Sequence, residues 1–86
     1  MSMTREERIF EFIKTVLVPE EELTFDPEVD LLEAEILDSA AMMELIVWLE
    51  DNFDFEIDTD DLTAENFASL SAMSRYIERV SGGSAP

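Results

Sequence analysis

The sequence contains no cysteine and no histidine. Without cysteine, the chain can form neither a disulfide framework nor a thiolate metal site. Without histidine, it lacks the usual general base, the commonest zinc ligand and every Ser-His-Asp arrangement. These two absences argue against nucleophilic and metal-dependent catalysis, so we predict that the protein is not an enzyme and holds no metal.

Long apolar runs are also absent. No segment approaches the roughly 18 apolar residues of a membrane-spanning helix, and the start, MSMTREERIF, lacks the basic and apolar regions of a signal peptide. The 86 residues, 47% of them hydrophobic, suffice for one small domain with a real core. We therefore expect a single cytoplasmic domain with no membrane attachment, and a monomer.

Positive charge is scarce and unevenly placed. Five cations stand against 22 acidic residues, which gives a net charge of −17. All five lie near the two ends of the chain, and residues 15–74 carry 18 carboxylates without one cation. Such a field repels nucleic acid and anionic lipid, and it favours partner proteins that present lysine and arginine.

The spacing of apolar residues predicts an all-α fold, a small four-helix bundle with a short third helix. The first helix opens with a capping box, in which Thr4 is the N-cap and Glu7 lies three residues further on, and it ends at Pro19. The remaining helices are placed at residues 38–53, 60–67 and 69–80. A long loop, residues 18–37, separates the first two helices. The carrier domain implied below covers residues 1–80, and residues 81–86 form a flexible tail.

The second predicted helix has more apolar residues than one buried face requires. At 100° per residue one stripe faces the core: Met42, Leu45, Ile46, Leu49 and Phe53. A second apolar group, Ala40, Met43 and Val47, lies on another face and is flanked by the carboxylates of Glu44, Glu50 and Asp51. We interpret this second face as a docking surface for a partner with an apolar groove and basic edges. The alternative is that another helix or the long loop covers it.

Ser39 stands at the start of this helix and allows two interpretations. It could be an ordinary N-cap, since serine satisfies the first free backbone N–H groups of a helix. The sequence argues against a catalytic role, because a serine nucleophile needs an adjacent base and the chain has no histidine. A functional Ser39 would instead carry a phosphate ester, because the helix dipole and the first-turn N–H groups stabilise an anion there.

The stretch LDSAAMMELIVWLEDNFDFEI resembles the acyl and peptidyl carrier proteins. Their signature is an Asp-Ser pair at the start of the second helix, then Glu-Leu, then Leu-Glu and an aromatic residue. The matching residues are Asp38-Ser39, Glu44-Leu45, Leu49-Glu50 and Phe53, all in register. The resemblance extends through FEIDTDDLTAENFASLSAMSRYI and covers roughly residues 4–80. One departure is Ala40, where the family usually has a larger apolar residue after the serine.

This resemblance implies a discrete carrier protein of a biosynthetic pathway. A phosphopantetheinyl transferase would attach 4′-phosphopantetheine from coenzyme A to Ser39, next to the motif residue Asp38. The thiol of that arm would carry acyl, aminoacyl or peptidyl groups as thioesters. The implied partners are a loading ligase or transferase and downstream synthase enzymes with basic docking surfaces. They would contact Ala40, Met43, Glu44, Val47, Glu50 and Asp51.

Two other functions fit parts of the sequence. One is a helical adaptor that lacks the modification. The other is a calcium-binding module, because acidic residues occupy five positions of an EF-hand spacing: Asp54, Glu56, Asp58, Asp60 and Glu65. Thr59 stands where that loop requires a sharp-turn glycine, so the calcium interpretation is the weaker one.

Overall fold

The computed structural model describes residues 3–80, and among these it contains helices and turns but no strand. This confirms the all-α prediction. The elements, in chain order, are α1 (Arg5–Phe12) with a π-helical last turn (Ile13–Leu17), α2 (Ser39–Phe53), a 3-10 turn (Thr59–Asp61), α3 (Ala64–Phe67) and α4 (Leu70–Val80). The predicted tail, residues 81–86, lies outside the described residues. No helix in the described part is both long and apolar enough to cross a membrane.

Both ends of the first helix follow from local sequence. The Thr4 hydroxyl accepts a hydrogen bond from the Glu7 backbone N–H at 3.1 Å, and the Glu7 carboxylate accepts one from the Thr4 N–H at 2.7 Å. The predicted capping box is therefore present. The helix stops at Leu17 because Pro19 disfavours helical geometry at the residue before it, Val18, whose φ and ψ are −135° and 61°.

The third helix is shorter than predicted. The sequence pattern placed one helix at residues 60–67, whereas the structure divides the segment into the 3-10 turn and the four-residue α3. The Asp58 side chain accepts a hydrogen bond from the Asp60 N–H at 3.0 Å and so starts the 3-10 turn. Thr63 then has extended backbone angles, which end that turn and begin α3. Short polar side chains thus compete with a continuous helix.

The core lies between α1, α2 and α4 and is closed by α3 and the long loop. Its buried side chains are Ile9, Ile13, Leu31, Leu37, Met42, Leu45, Ile46, Leu49, Phe67, Leu70, Met73, Tyr76 and Ile77. Arg5 joins α1 to α4, since its guanidinium donates to the backbone oxygen of Ser74 at 2.9 Å and to the Ser74 hydroxyl at 3.2 Å. Trp48 of α2 packs against α1, where its ring stacks on Phe12 with the centroids 4.6 Å apart.

Residues 18–37, the long loop, are held to the bundle by apolar contacts and hydrogen bonds. Leu31 and Leu37 are buried in the core. The Leu31 N–H donates to the Ala68 carbonyl at 2.7 Å, and the Ser71 hydroxyl donates to the Glu28 carboxylate at 2.6 Å. Both the Ile36 and the Leu37 N–H groups bond the Leu31 carbonyl, at 3.0 and 3.1 Å. The end of the loop, and with it the start of α2, is therefore fixed in position.

Candidate functional site

Asp38, and not Ser39, is the N-cap of α2. Its backbone is extended, with φ −95° and ψ −177°, and its carboxylate accepts the Ala41 N–H at 2.8 Å. Ser39 is the first residue inside the helix. The interpretation of Ser39 as a helix cap is therefore wrong. The reason is that either member of the Asp-Ser pair can cap a helix, and the aspartate, one position earlier, takes that role here.

The Ser39 side chain is exposed. Among residues 3–80 its hydroxyl takes part in no hydrogen bond, because the capping bond is made by Asp38. The Ser39 oxygen is thus free to react with a bulky donor. It also lies at the positive end of the dipole of a fifteen-residue helix, which favours a phosphate group attached there.

A cavity of about 220 Å³ opens beside Ser39, between α2 and the segment that contains α3. One wall is the α2 side chains of Ser39, Met42, Met43 and Ile46. The other wall comes from Leu32 and from the 62–67 segment: Leu62, Thr63, Ala64 and Phe67. Apart from Ser39 and Thr63, these residues are apolar. Apolar spacing does not reveal that the 62–67 segment belongs to the site, because no spacing rule relates residues of α2 to residues about twenty positions further along the chain.

The second apolar face of α2 is exposed. Met43 and Val47 have 52% and 55% of their surface accessible, whereas their neighbours Met42 and Ile46 have 7% each. Ala40, Glu44 and Asp51 are exposed as well. The alternative in which another helix or the long loop covers this face is wrong, because no part of residues 3–80 buries it. We call Ala40, Met43, Glu44, Val47 and Asp51 the α2 surface; that partners dock on it stays a prediction.

Glu50 differs from the other predicted docking carboxylates. It is half-buried, and its carboxylate accepts the Ile57 N–H at 2.8 Å. This bond closes the turn after α2, where Asp54 has a left-handed backbone with φ 53°. One Glu50 oxygen is thus committed to the fold, a role that the sequence did not reveal because the bond spans seven residues across a turn. For docking, Glu44 and Asp51 are the better exposed carboxylates.

The calcium interpretation receives no support from the geometry. Among the residues that the structure describes, no group of three acidic side chains is placed to hold a metal ion. The segment that carries the EF-hand spacing forms the 3-10 turn and α3 instead of a calcium loop. Asp58, one of the five acids in that spacing, accepts the Asp60 N–H. Asp61, which lies in the same segment, accepts a hydrogen bond from the Tyr76 hydroxyl.

Comparison with known families identifies the family of the chain. The family model described as "Phosphopantetheine attachment site" matches residues 7–77, a stretch that contains Asp38, Ser39 and the whole of α2. The chain belongs to the acyl carrier protein family. Acyl carrier proteins are carriers and not catalysts, and their covalent group is 4′-phosphopantetheine, so both of these predictions are confirmed.

Curated acyl carrier proteins from three bacteria are similar to this chain along almost their whole length. The acyl carrier protein of Campylobacter concisus (strain 13826) is 35% identical over 77 residues, which cover 84% of this chain and 95% of that protein. Those of Campylobacter curvus (strain 525.92) and Campylobacter lari (strain RM2100) are 34% and 35% identical, with the same coverage. The predicted carrier family is thereby confirmed.

The residues present fit a phosphopantetheine arm. The arm supplies a thiol that holds cargo as a thioester. This chain supplies an accessible hydroxyl at Ser39, a cap at Asp38 that leaves that hydroxyl unengaged, and an apolar cavity at its side. In the described part of the chain, no other serine combines exposure with a position at the start of a long helix.

Proposed function

We propose that this chain carries acyl groups as thioesters on a 4′-phosphopantetheine arm joined to the Ser39 hydroxyl oxygen. The observation that carries the proposal is the exposed, unbonded hydroxyl of Ser39 at the start of α2. It is exposed and uninvolved in capping, within the matched attachment-site stretch. The first-turn N–H groups of α2 stabilise the negative charge of the phosphodiester formed there.

The cavity beside Ser39 supports an apolar acyl cargo over a polar aminoacyl one. Met42, Ile46 and Phe67 contribute apolar surface to it, and no charged side chain lines it. An acyl chain placed there would leave water, which stabilises it by about 0.8 kcal/mol for each methylene buried. A charged amino group would gain no partner in the same place and would lose its hydration.

We further propose that partner enzymes dock on the α2 surface. Met43 and Val47 provide the apolar contact, while Glu44 and Asp51 provide negative charge at its rim. An exposed apolar patch with a charged border fits a partner whose apolar groove is edged by lysine and arginine. These partners are a phosphopantetheinyl transferase, a loading ligase or transferase, and downstream enzymes of a biosynthetic pathway.

The test is the intact mass of the protein after incubation with coenzyme A and a broad-specificity phosphopantetheinyl transferase. We expect the wild-type chain to gain one arm and Ser39→Ala to gain none. Because Asp38 is the cap, Ser39→Ala should change the free energy of unfolding by less than about 0.5 kcal/mol. Loss of loading would then not be a consequence of unfolding.

Ser69→Ala is the matched control, since Ser69 also precedes a helix and its hydroxyl accepts the Ala72 N–H at 3.1 Å. This variant should still gain the arm. If Ser39→Ala gained it too, the assignment of Ser39 would be wrong. If the wild-type chain gained nothing, the helical adaptor would be the better interpretation.

A further inference from the structure

The wall of the cavity formed by Leu62, Thr63 and Ala64 has little stability of its own. Leu62 and Thr63 connect a three-residue 3-10 turn to a four-residue helix, and Ala64 is the first residue of that helix. Helices this short do not persist alone in water, because too few hydrogen bonds offset the entropy of ordering the chain. Something outside the segment must hold this wall where it is.

A side-chain network joins both ends of the wall to α4. The Tyr76 hydroxyl donates to the Asp61 carboxylate at 2.8 Å, just before Leu62. The Arg79 guanidinium donates to the Asn66 side-chain oxygen at 3.2 Å, just after the wall. The side-chain amide of Asn66 also donates a hydrogen bond to the backbone carbonyl of Asp61 at 2.9 Å. The two anchor points are therefore linked to each other as well as to the helix behind them.

The helix behind the network is well fixed. Tyr76 is 1% exposed, and its ring packs against Phe67 with the centroids 5.0 Å apart. Arg79 lies over the same Tyr76 ring at 5.3 Å. Arg5 holds α4 to α1 through Ser74. The network thus connects a segment with little stability of its own to a helix that is itself held to α1.

We propose that Tyr76, Asp61, Asn66 and Arg79 are positioning residues that limit the length of the acyl group accepted beside Ser39. The network holds the 62–64 wall at the spacing that gives the cavity its present volume of about 220 Å³. Loss of a network bond lets the wall move outward, so that a longer chain fits. This inference rests on the proposed function, because it needs an acyl group on the Ser39 arm.

The first experiment uses the unmodified chain and does not depend on that function. Hydrogen exchange of the backbone amides at residues 62–67 is compared in the wild type, Tyr76→Phe and Ser71→Ala. Tyr76→Phe keeps the buried ring and loses one hydrogen bond, so exchange should be about 2- to 10-fold faster in this segment. Ser71→Ala loses the bond to Glu28 instead and should leave the segment unchanged. Unchanged exchange in Tyr76→Phe would overturn the proposal.

The second experiment measures the melting temperature of the protein loaded with acetyl, butanoyl, hexanoyl, octanoyl, decanoyl or dodecanoyl arms. In the wild type the melting temperature should rise with chain length and stop rising once the cavity is filled. In Tyr76→Phe and Asn66→Ala this plateau should move to a longer chain. Asp61→Asn retains an acceptor for the Tyr76 hydroxyl and should keep the wild-type plateau.

A purely structural role would lower every melting temperature and leave the plateau at the same chain length, as we expect for Ser71→Ala. That result in Tyr76→Phe and Asn66→Ala would overturn the assignment of a length limit. If neither the wild type nor the variants accepted an arm, the proposed function would be contradicted. The hydrogen-exchange experiment would still test whether the network holds residues 62–67 in place.

Discussion

The two faces of α2 place similar side chains in opposite environments. Met42 and Ile46 are 7% exposed, whereas their immediate neighbours Met43 and Val47 are more than half exposed. The residue types are nearly the same, so the difference comes from the helical phase, which turns each side chain about 100° from the one before. One face of this helix stabilises the domain through burial. The other face carries similar apolar side chains that stay exposed to solvent.

The largest expected difference between the two faces is in the free energy of unfolding when a side chain is removed. Leu45 is fully buried, so Leu45→Ala should reduce the free energy of unfolding by about 2–5 kcal/mol through lost burial and the cavity left behind. Met43→Ala should change it by less than about 0.5 kcal/mol. Urea denaturation followed by circular dichroism measures both. Equal losses in the two variants would show that Met43 packs against the fold in solution.

The next largest effect is on the rate at which a phosphopantetheinyl transferase modifies the protein. Met43→Asp and Val47→Asp should lower kcat/KM of the phosphopantetheinyl transferase at least about tenfold, because a charge replaces apolar surface that docking would bury. The loss should persist at high salt, since it does not depend on long-range attraction. Val16→Asp is the matched control, because Val16 is 58% exposed on the last turn of the first helix. An equal loss in Val16→Asp would place docking elsewhere.

The smallest effect is electrostatic. Glu44→Lys and Asp51→Lys should each lower kcat/KM by a factor of about two to five at low ionic strength, as exposed ion pairs contribute little. The difference from wild type should shrink as salt is added, because both charges are exposed and screened. Glu78→Lys makes the same change in net charge on exposed surface of α4 and serves as the control. If it matched the other two, net charge alone would explain the result.

Periodicity and capping rules predicted the parts of this protein that depend on local sequence. The Thr4–Glu7 capping box, the end of the first helix before Pro19 and the phase of α2 were all accessible in this way. The role of the Asp38-Ser39 pair could be predicted only in part. Its position at a helix start was clear, but the choice of Asp38 as cap depends on one hydrogen bond.

The parts that the sequence did not predict depend on contacts between distant residues. Glu50 bonds Ile57 across a turn, and Asp61 bonds Tyr76 fifteen residues away. The cavity beside Ser39 exists only because α3 lies next to α2, and the break before α3 depends on an extended Thr63. No pattern of apolar spacing encodes such pairings, because each joins two segments whose relative position is set by the core.

The single tryptophan and the single tyrosine of the chain lie at different helix junctions. Trp48 stacks on Phe12 between α2 and α1, while Tyr76 packs on Phe67 between α4 and α3. Burial, followed by the hydrogen bond and the negative charge of Asp61, raises the pKa of Tyr76 above its usual 10.0. The protein therefore carries two built-in optical reporters. Indole emission follows the junction of the first two helices, and alkaline ionisation of the phenol follows the junction that closes the cavity, each without a label.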